Sequence, residues 1–433
     1  MLRAFVNAFK IPDLRNKILF TLFMIAVYRF GAHVPVPIVD VSGLQRAIAA
    51  QGSTSILSFI DLFSGGALTR LSVFALGIMP YITSSIIMQL LTVVIPKLSQ
   101  WQDQGEGGTR KINQWTRYVA VVLALLQSTG LVFLFHSGQL FQGSSISTDV
   151  FPPGKFTAPH VALIVLVMTA GTATIMWMGE LITQRGVGNG MSILIFASVI
   201  SRLPSEGHSI FLTGGTGKFV AILLLGMAIV VAVVFIDQGQ RRVPVQFAKR
   251  VVGRRMTQGG STYIPYKVNT AGVIPIIFAS SVLYFPTLLG SVIHYQWFQN
   301  VVQNFVVNQR SIVYMTLLAL LVVFFSYFYT AIQSDPVRTA DGIRKQGGFI
   351  PGIRPGPPTV DYLNYVLVRI TLPGALFLAA IAVIPSIVLA YWAFQQFPFG
   401  GTAVLITVGV ALETMKQIES QLLMRHYEGF LKV

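Results

Sequence analysis

The chain has 433 residues, of which 53% are apolar and only 11% charged, and its mean hydropathy is +0.68. A soluble domain carries roughly a quarter charged residues, so polar groups could cover little of this chain's surface and its solvent must be lipid. Cysteine is absent, which excludes disulfide and thiol chemistry and leaves the redox compartment unread.

Residues 1–17 (MLRAFVNAFKIPDLRNK) form a basic, amphipathic segment. The span behind it has no small-residue cleavage site, so no cleavable signal is expected. Apolar runs that approach the ~20 residues needed to cross a ~30 Å hydrocarbon core then recur along the chain. The first covers 18–36. Residues 55–63 (SILSFIDLF) are apolar but too short to cross, and Ser64, Gly65 and Gly66 interrupt them before a second span at 71–95. Pro80 falls within that span and removes one ladder hydrogen bond. A short helix, a glycine break and a full helix read as a re-entrant element, which is tolerated at membrane depth only inside protein or beside a water-filled cavity. An amphipathic helix on the outer surface is the other reading of the same segment.

The third and fourth spans are 118–135 and 160–178. A short fifth at 191–203 is flanked by uncharged residues from Val187 to Gly190. The sixth, 219–236, leads to a basic loop at 237–269 containing RRVPVQFAKRVVGRR, whose alternating Val243, Val245 and Phe247 predict an extended hairpin. Spans seven and eight are 271–289 and 312–332. A loop at 333–366 is rich in Gly and Pro and predicts a rigid, turn-rich projection. Spans nine and ten, 370–389 and 402–412, precede a tail at 417–433. These runs are continuous rather than alternating, which argues for helices over a closed barrel.

Lys and Arg are unevenly shared between the two sets of connections. One set holds only Arg46, Arg70, Lys155, Arg202, Lys218 and Arg310; apart from Arg29 and Arg369 in or beside spans, all other cations fall on the opposite side. By the positive-inside bias both termini are cytoplasmic, which requires an even number of spans. Ten spans divide into halves of five, 18–204 and 205–416, so a shared fold would place the second half upside down, as in many transport proteins.

The six histidines (His33, His136, His160, His208, His294, His426) are scattered, and no metal cluster, phosphate loop or nucleophile arrangement appears. Gly186 to Gly190 is glycine-rich but precedes a span and follows no strand, so a nucleotide loop is disfavoured. The acids lie in loops or near span ends, with Glu180, Asp237 and Glu413 the nearest to lipid depth. Ion-coupled transporters usually carry a midplane ionisable residue; here the midplane offers neutral groups such as Thr83, Gln89 and Gln127. This counts against a secondary transporter of a small solute, the rival reading, and a membrane-embedded enzyme lacks a catalytic constellation. The basic loop exceeds what topology requires and would bind phosphate-rich RNA or an acidic protein face.

Several segments together resemble the SecY family of protein-conducting channels: FSGGALTR with FALGIMPYITSSIIMQLLTVVIP, GEGGTRKINQWTRY, MGELITQRGVGNGMSILIFA, RRVPVQFAKRVVGRR, YIPYKVNTAGVIPIIFASS, GGFIPGIRPG and RHYEGFLK, in order. The resemblance implies an all-α polytopic membrane protein of ten transmembrane helices in two inverted halves, with a re-entrant plug helix. It implies a passive conduit for unfolded preproteins with signal sequences, without cofactor or catalysis, in the bacterial plasma membrane. By motif, the pore ring would be Ile78, Ile82, Met191, Ile195, Ile277 and Ile406. The plug would span 55–70, with Ile56, Leu57, Phe59, Ile60, Leu62, Phe63, Ser64, Gly65 and Gly66 as its core. A lateral gate toward membrane lipids would lie between helices two/three and seven/eight, with Thr83, Gln127 and Asn269 as its polar cluster. Arg241, Arg242, Lys249, Arg250, Arg254, Arg255 and Arg354 would engage the SecA ATPase or the ribosome. SecE would clamp the halves and SecG would lie at the periphery.

Overall fold

The computed structural model describes residues 9, 11–44, 61, 63–137, 151, 156–247, 250–252, 255–257, 260–292, 297, 301–302, 311–392 and 401–430. Helices occupy all ten expected spans. In chain order they are α1 (Pro12–Gly31), α2 (Met79–Val94), α3 (Pro96–Asp103), α4 (Glu106–Ser137), α5 (Ala158–Arg185), α6 (Gly190–Gln238), α7 (Ile274–Val292), α8 (Ile312–Gln333), α9 (Pro336–Lys345), α10 (Pro357–Trp392) and α11 (Gly401–Phe430). α6 carries the fifth and sixth spans, which are separated by a break at Gly215 (φ 71°, ψ 172°). Among the described residues, five helical segments are long and apolar enough to cross a membrane unaided. α2 and α3 make a sixth candidate as one span bent by 99°, where extended Ile95 precedes Pro96. A residue before proline is pushed out of the helical region, which accounts for the bend.

Two span boundaries differ from the sequence reading. The first helix ends at Gly31, and Pro35 makes an isolated bridge with Ser72. The second does not begin at Leu71: a 3-10 turn at Leu68–Arg70 and a run of turns precede Met79. Pro80 therefore sits in the first turn of α2 rather than inside it. There its missing N–H costs no ladder bond and its fixed φ suits the helix start. Gly77 (φ 57°) permits the approach, because a Cβ there would lie 2.8 Å from the Phe63 carbonyl oxygen.

The two basic loops fold together. β1 (Gln240–Phe247) pairs antiparallel with β4 (Ser261–Lys267), Val243 opposite Ile264, as the alternation predicts. Between them β2 (Arg250–Val252) and β3 (Arg255–Thr257) form a second ladder. The later loop is not only turns. It contains α9 and a short β5 (Gly348–Phe349), which pairs with β1 on its other side and gives the sheet order β4-β1-β5. Val243, Val245, Tyr266, Ala340, Ile350 and Leu363 bury one shared apolar core beneath this sheet. Burial pushes the Tyr266 phenol above its ordinary range, so it stays neutral there.

Candidate functional site

Among the described residues three apolar clusters fill the membrane region, and one of them draws broadly on both halves of the chain. It combines Met24 and Tyr28 of α1, Ile78 and Met79, Ile175 and Met178 of α5, Ile193 to Ile195 of α6, Ile277 of α7, and Ala403 and Ile406 of α11. All six residues assigned to the pore ring fall in it. Ile78, Ile195, Ile277 and Ile406 are buried at 2%, 6%, 7% and 1% exposure. Ile82 and Met191 are half-buried and pack against them.

Local chemistry sets these positions. Ile78 caps α2, and its carbonyl accepts from Tyr81 N and Ile82 N, both at 3.1 Å. Residues 78 and 82 therefore share a face one turn apart. On α6 the cap is Asn189, whose Oδ1 accepts from Met191 N at 3.0 Å and Ser192 N at 3.4 Å. Such a cap is worth about 1 kcal/mol, and it fixes where Met191 and Ile195 point. Gly190 lets α5 and α6 cross closely, since a Cβ there would lie 1.9 Å from the Gly179 carbonyl oxygen. The glycine-rich segment 186–190 is this turn. Asn189 was not singled out from the sequence, although a polar residue just before a glycine and an apolar run is a helix-start signal.

Beside the cluster lies a cavity of about 510 Å³. Ile82, Met191, Ile195 and Ile277 are among its lining residues, and Asn113, Arg117, Glu180, Thr183, Gln184 and Asn189 give it polar walls. Arg117 Nε meets Glu180 Oε1 at 2.5 Å, joining α4 to α5. Phe63 and Ala67, at 1% and 0% exposure, belong to the same apolar cluster without lining the cavity. The partly polar cavity therefore borders the apolar cluster, and the segment around Phe63 packs into that same cluster.

Of the plug positions, Phe63, Ser64, Gly65 and Gly66 are described; Ile56, Leu57, Phe59, Ile60 and Leu62 lie outside the described residues. Gly65 and Gly66 have φ of 65° and 89°, the left-handed break the sequence called for. Asp61, in the same segment, is 3% exposed and pairs with Arg202, so one acid is buried although it reads as a loop residue. Thr83, Gln127 and Asn269 sit on α2, on α4 and just before α7. The Thr83 hydroxyl donates to its own helix at Met79 O (3.0 Å), and no hydrogen bond joins the three side chains among the described residues.

Arg241 and Arg242 are exposed on β1, and Arg242 stacks 4.7 Å from the Tyr263 ring centre. Arg354 is exposed between Gly352 (φ 83°) and Gly356 (φ 120°), with its carbonyl accepting from Thr359 Oγ1 at 2.8 Å. Arg250 and Arg255 fall on β2 and β3; Lys249 and Arg254 lie outside the described residues. The β1–β5 pairing places Arg241, Arg242 and Arg354 on one folded unit.

A family model described as SecY matches residues 72–415. The chain belongs to the SecY family. Protein translocase subunit SecY of Mycobacterium tuberculosis is 51% identical over 445 aligned positions, with both chains covered in full. A solved protein conducting channel matches at a TM-score of 0.65 and 16% identity, over 97% of this chain and 95% of that one. A canine ribosome-channel complex from the endoplasmic reticulum matches at 0.61 with the same identity and coverage. At 16% identity these two likenesses establish the SecY fold, while the full-length relative establishes membership of the SecY family.

Proposed function

We propose that this chain is the central pore subunit of a protein-conducting channel, carrying unfolded polypeptides across a bacterial plasma membrane and releasing hydrophobic segments sideways into lipid. The observation that supports this reading best is one apolar cluster, the proposed waist, drawn from both halves, that borders the cavity and takes in the segment around Phe63. An apolar constriction seals against ions by excluding water, yet has no directional bonds that a passing chain must break. Ile78, Ile82, Met191, Ile195, Ile277 and Ile406 would form the seal, and Phe63 to Gly66 the inner part of the plug. Residues 18–204 and 205–416 would be the two halves, with both termini cytoplasmic.

The chain supplies path, seal and lateral exit, and the driving energy comes from a partner. The exposed arginines of the β1–β5 unit and Arg354 would dock SecA or a ribosome; SecE would clamp the halves and SecG would lie outside them. The lateral exit would open where α2 and α4 meet α7, near Thr83, Gln127 and Asn269. The test is to stall a preprotein in vesicles containing the full-length chain with its co-purifying subunits. Photo-crosslinkers at Ile82 and Ile277 should capture it in an ATP- or translation-dependent manner. Uptake of the preprotein without capture at either position would overturn the assigned path.

A further inference from the structure

Asp61 and Arg202 form a buried ion pair that neither the waist nor the cavity uses. Arg202 Nη1 lies 3.4 Å from Asp61 Oδ2, and the two side chains are 14% and 4% exposed. The other carboxylate oxygen, Oδ1, accepts from Ser64 Oγ at 3.1 Å and Thr69 N at 3.4 Å. The Asp61 carbonyl accepts from Gly65 N at 2.8 Å. The carboxylate thus organises the turn that carries Phe63 and Ala67 into the waist. Two neighbours hold the same turn: Arg29 Nη1 donates to Gly65 O at 2.7 Å, and the Tyr28 hydroxyl, 2.7 Å from Ser198 Oγ, donates to Ser64 O at 3.4 Å.

The polar partners all lie in one half. Tyr28 and Arg29 stand on α1, and Ser198 and Arg202 on the first part of α6, all in the N-terminal half. Phe63 and Ala67 belong to an apolar cluster that adds Ile277 and Ile406 of the C-terminal half to Met24, Phe74 and Ile195 of the N-terminal half. Charged, directional bonds resist sliding, and a buried carboxylate is costly to leave unpaired. Apolar packing is non-directional and parts without leaving an unsatisfied group.

We propose that Asp61 and Arg202 are a latch fixing the root of the plug to the N-terminal half. When the halves separate at the waist, the root travels with α1 and α6 and withdraws Phe63 and Ala67 from Ile277 and Ile406. The pair positions the seal and does not touch the passing chain. This rests on the channel reading above.

The test uses the full-length chain with its co-purifying subunits in phospholipid vesicles. Asp61→Asn and Arg202→Gln each leave a buried partner uncompensated, and each should raise resting ion leak about tenfold or more. The exchange Asp61→Arg with Arg202→Asp should bring the leak back toward the parent. A second arm uses the absence of native cysteine. A Cβ on Gly65 would lie 3.2 Å from Ser198 Cβ, a few tenths of an ångström inside the usual disulfide separation of about 3.5–4.5 Å, so a small outward shift lets Gly65→Cys and Ser198→Cys pair. Oxidising that pair should suppress the leak of Asp61→Asn while preprotein uptake continues at the rate of the reduced pair, which controls for strain at position 65.

Single variants as tight as the parent would overturn the latch, and so would a tether that abolishes uptake. The tether decides the matter even if the exchanged pair does not assemble. A parent protein that takes up no preprotein would instead sink the channel reading.

Discussion

Ile406 is the residue where a small chemical change tests the seal most directly. It is 1% exposed in the cluster that joins both halves. Replacing its side chain with an amide places polar atoms where only apolar neighbours exist, at a cost of about 1–3 kcal/mol when unsatisfied. Water entering the waist relieves that cost, so Ile406→Asn should shift the constriction toward its wetted, conducting form. We expect ion leak to rise by about an order of magnitude, as 1.4 kcal/mol is a tenfold change in an equilibrium, and signal-sequence stringency to fall. Unchanged leak with unchanged stringency would remove Ile406 from the seal.

Arg354 separates charge from geometry. Orientation depends on the sum of cations near span ends, so one change leaves it intact, whereas docking depends on one planar guanidinium. The backbone around it is held by Thr359 and two left-handed glycines. Arg354→Glu should abolish motor-driven preprotein uptake while membrane insertion, checked by protease accessibility, survives. Arg354→Lys should retain part of the activity. Normal uptake by the Glu variant would return this loop to a topological role.

At the scale of elements, the segment before α2 splits into parts with different jobs. Leu68 and Leu71 are buried in a cluster with Ala75, Ala124 and Met168, away from the waist. Phe63 and Ala67 belong to the waist cluster instead. Deleting all of 55–70 would therefore remove core as well as plug, and a loss of about 2–5 kcal/mol per large buried side chain should impair assembly. Deleting only 55–60 spares those contacts, and the product should assemble, translocate and leak more than the parent. Failure of the shorter deletion to assemble, read by detergent chromatography, would mean the segment is structural throughout.

At the scale of the whole molecule, α2 and α4 contact α7 and α6 packs on α11, and the proposed halves would meet along α2, α4 and α7. Ile86 of α2 lies in a cluster otherwise drawn from the C-terminal half, including Ala279 of α7. On the channel reading proposed above, the halves would part at this α2–α7 seam. A short reducible linker between Ile86→Cys and Ala279→Cys should cut preprotein uptake about tenfold, since closure of a gating element limits throughput, and reduction should restore it. Full uptake by the linked protein would place the exit elsewhere.

Ten apolar runs, their helical form and the basic character of two loops were legible in the sequence, because lipid imposes length and composition on each span independently of the others. The six waist residues were named from motif resemblance; their spacing fixed only that 78/82 and 191/195 face together. Tertiary structure alone brought six helices and the segment around Phe63 into one cluster. It also moved the start of α2 to Met79, just before Pro80, joined the two loops through β1 and β5, and buried Asp61 against Arg202. The joined loops and the ion pair depend on partners more than a hundred residues away, and the pair also on the cost of leaving a buried charge unpaired. Local periodicity carries no record of such a partner.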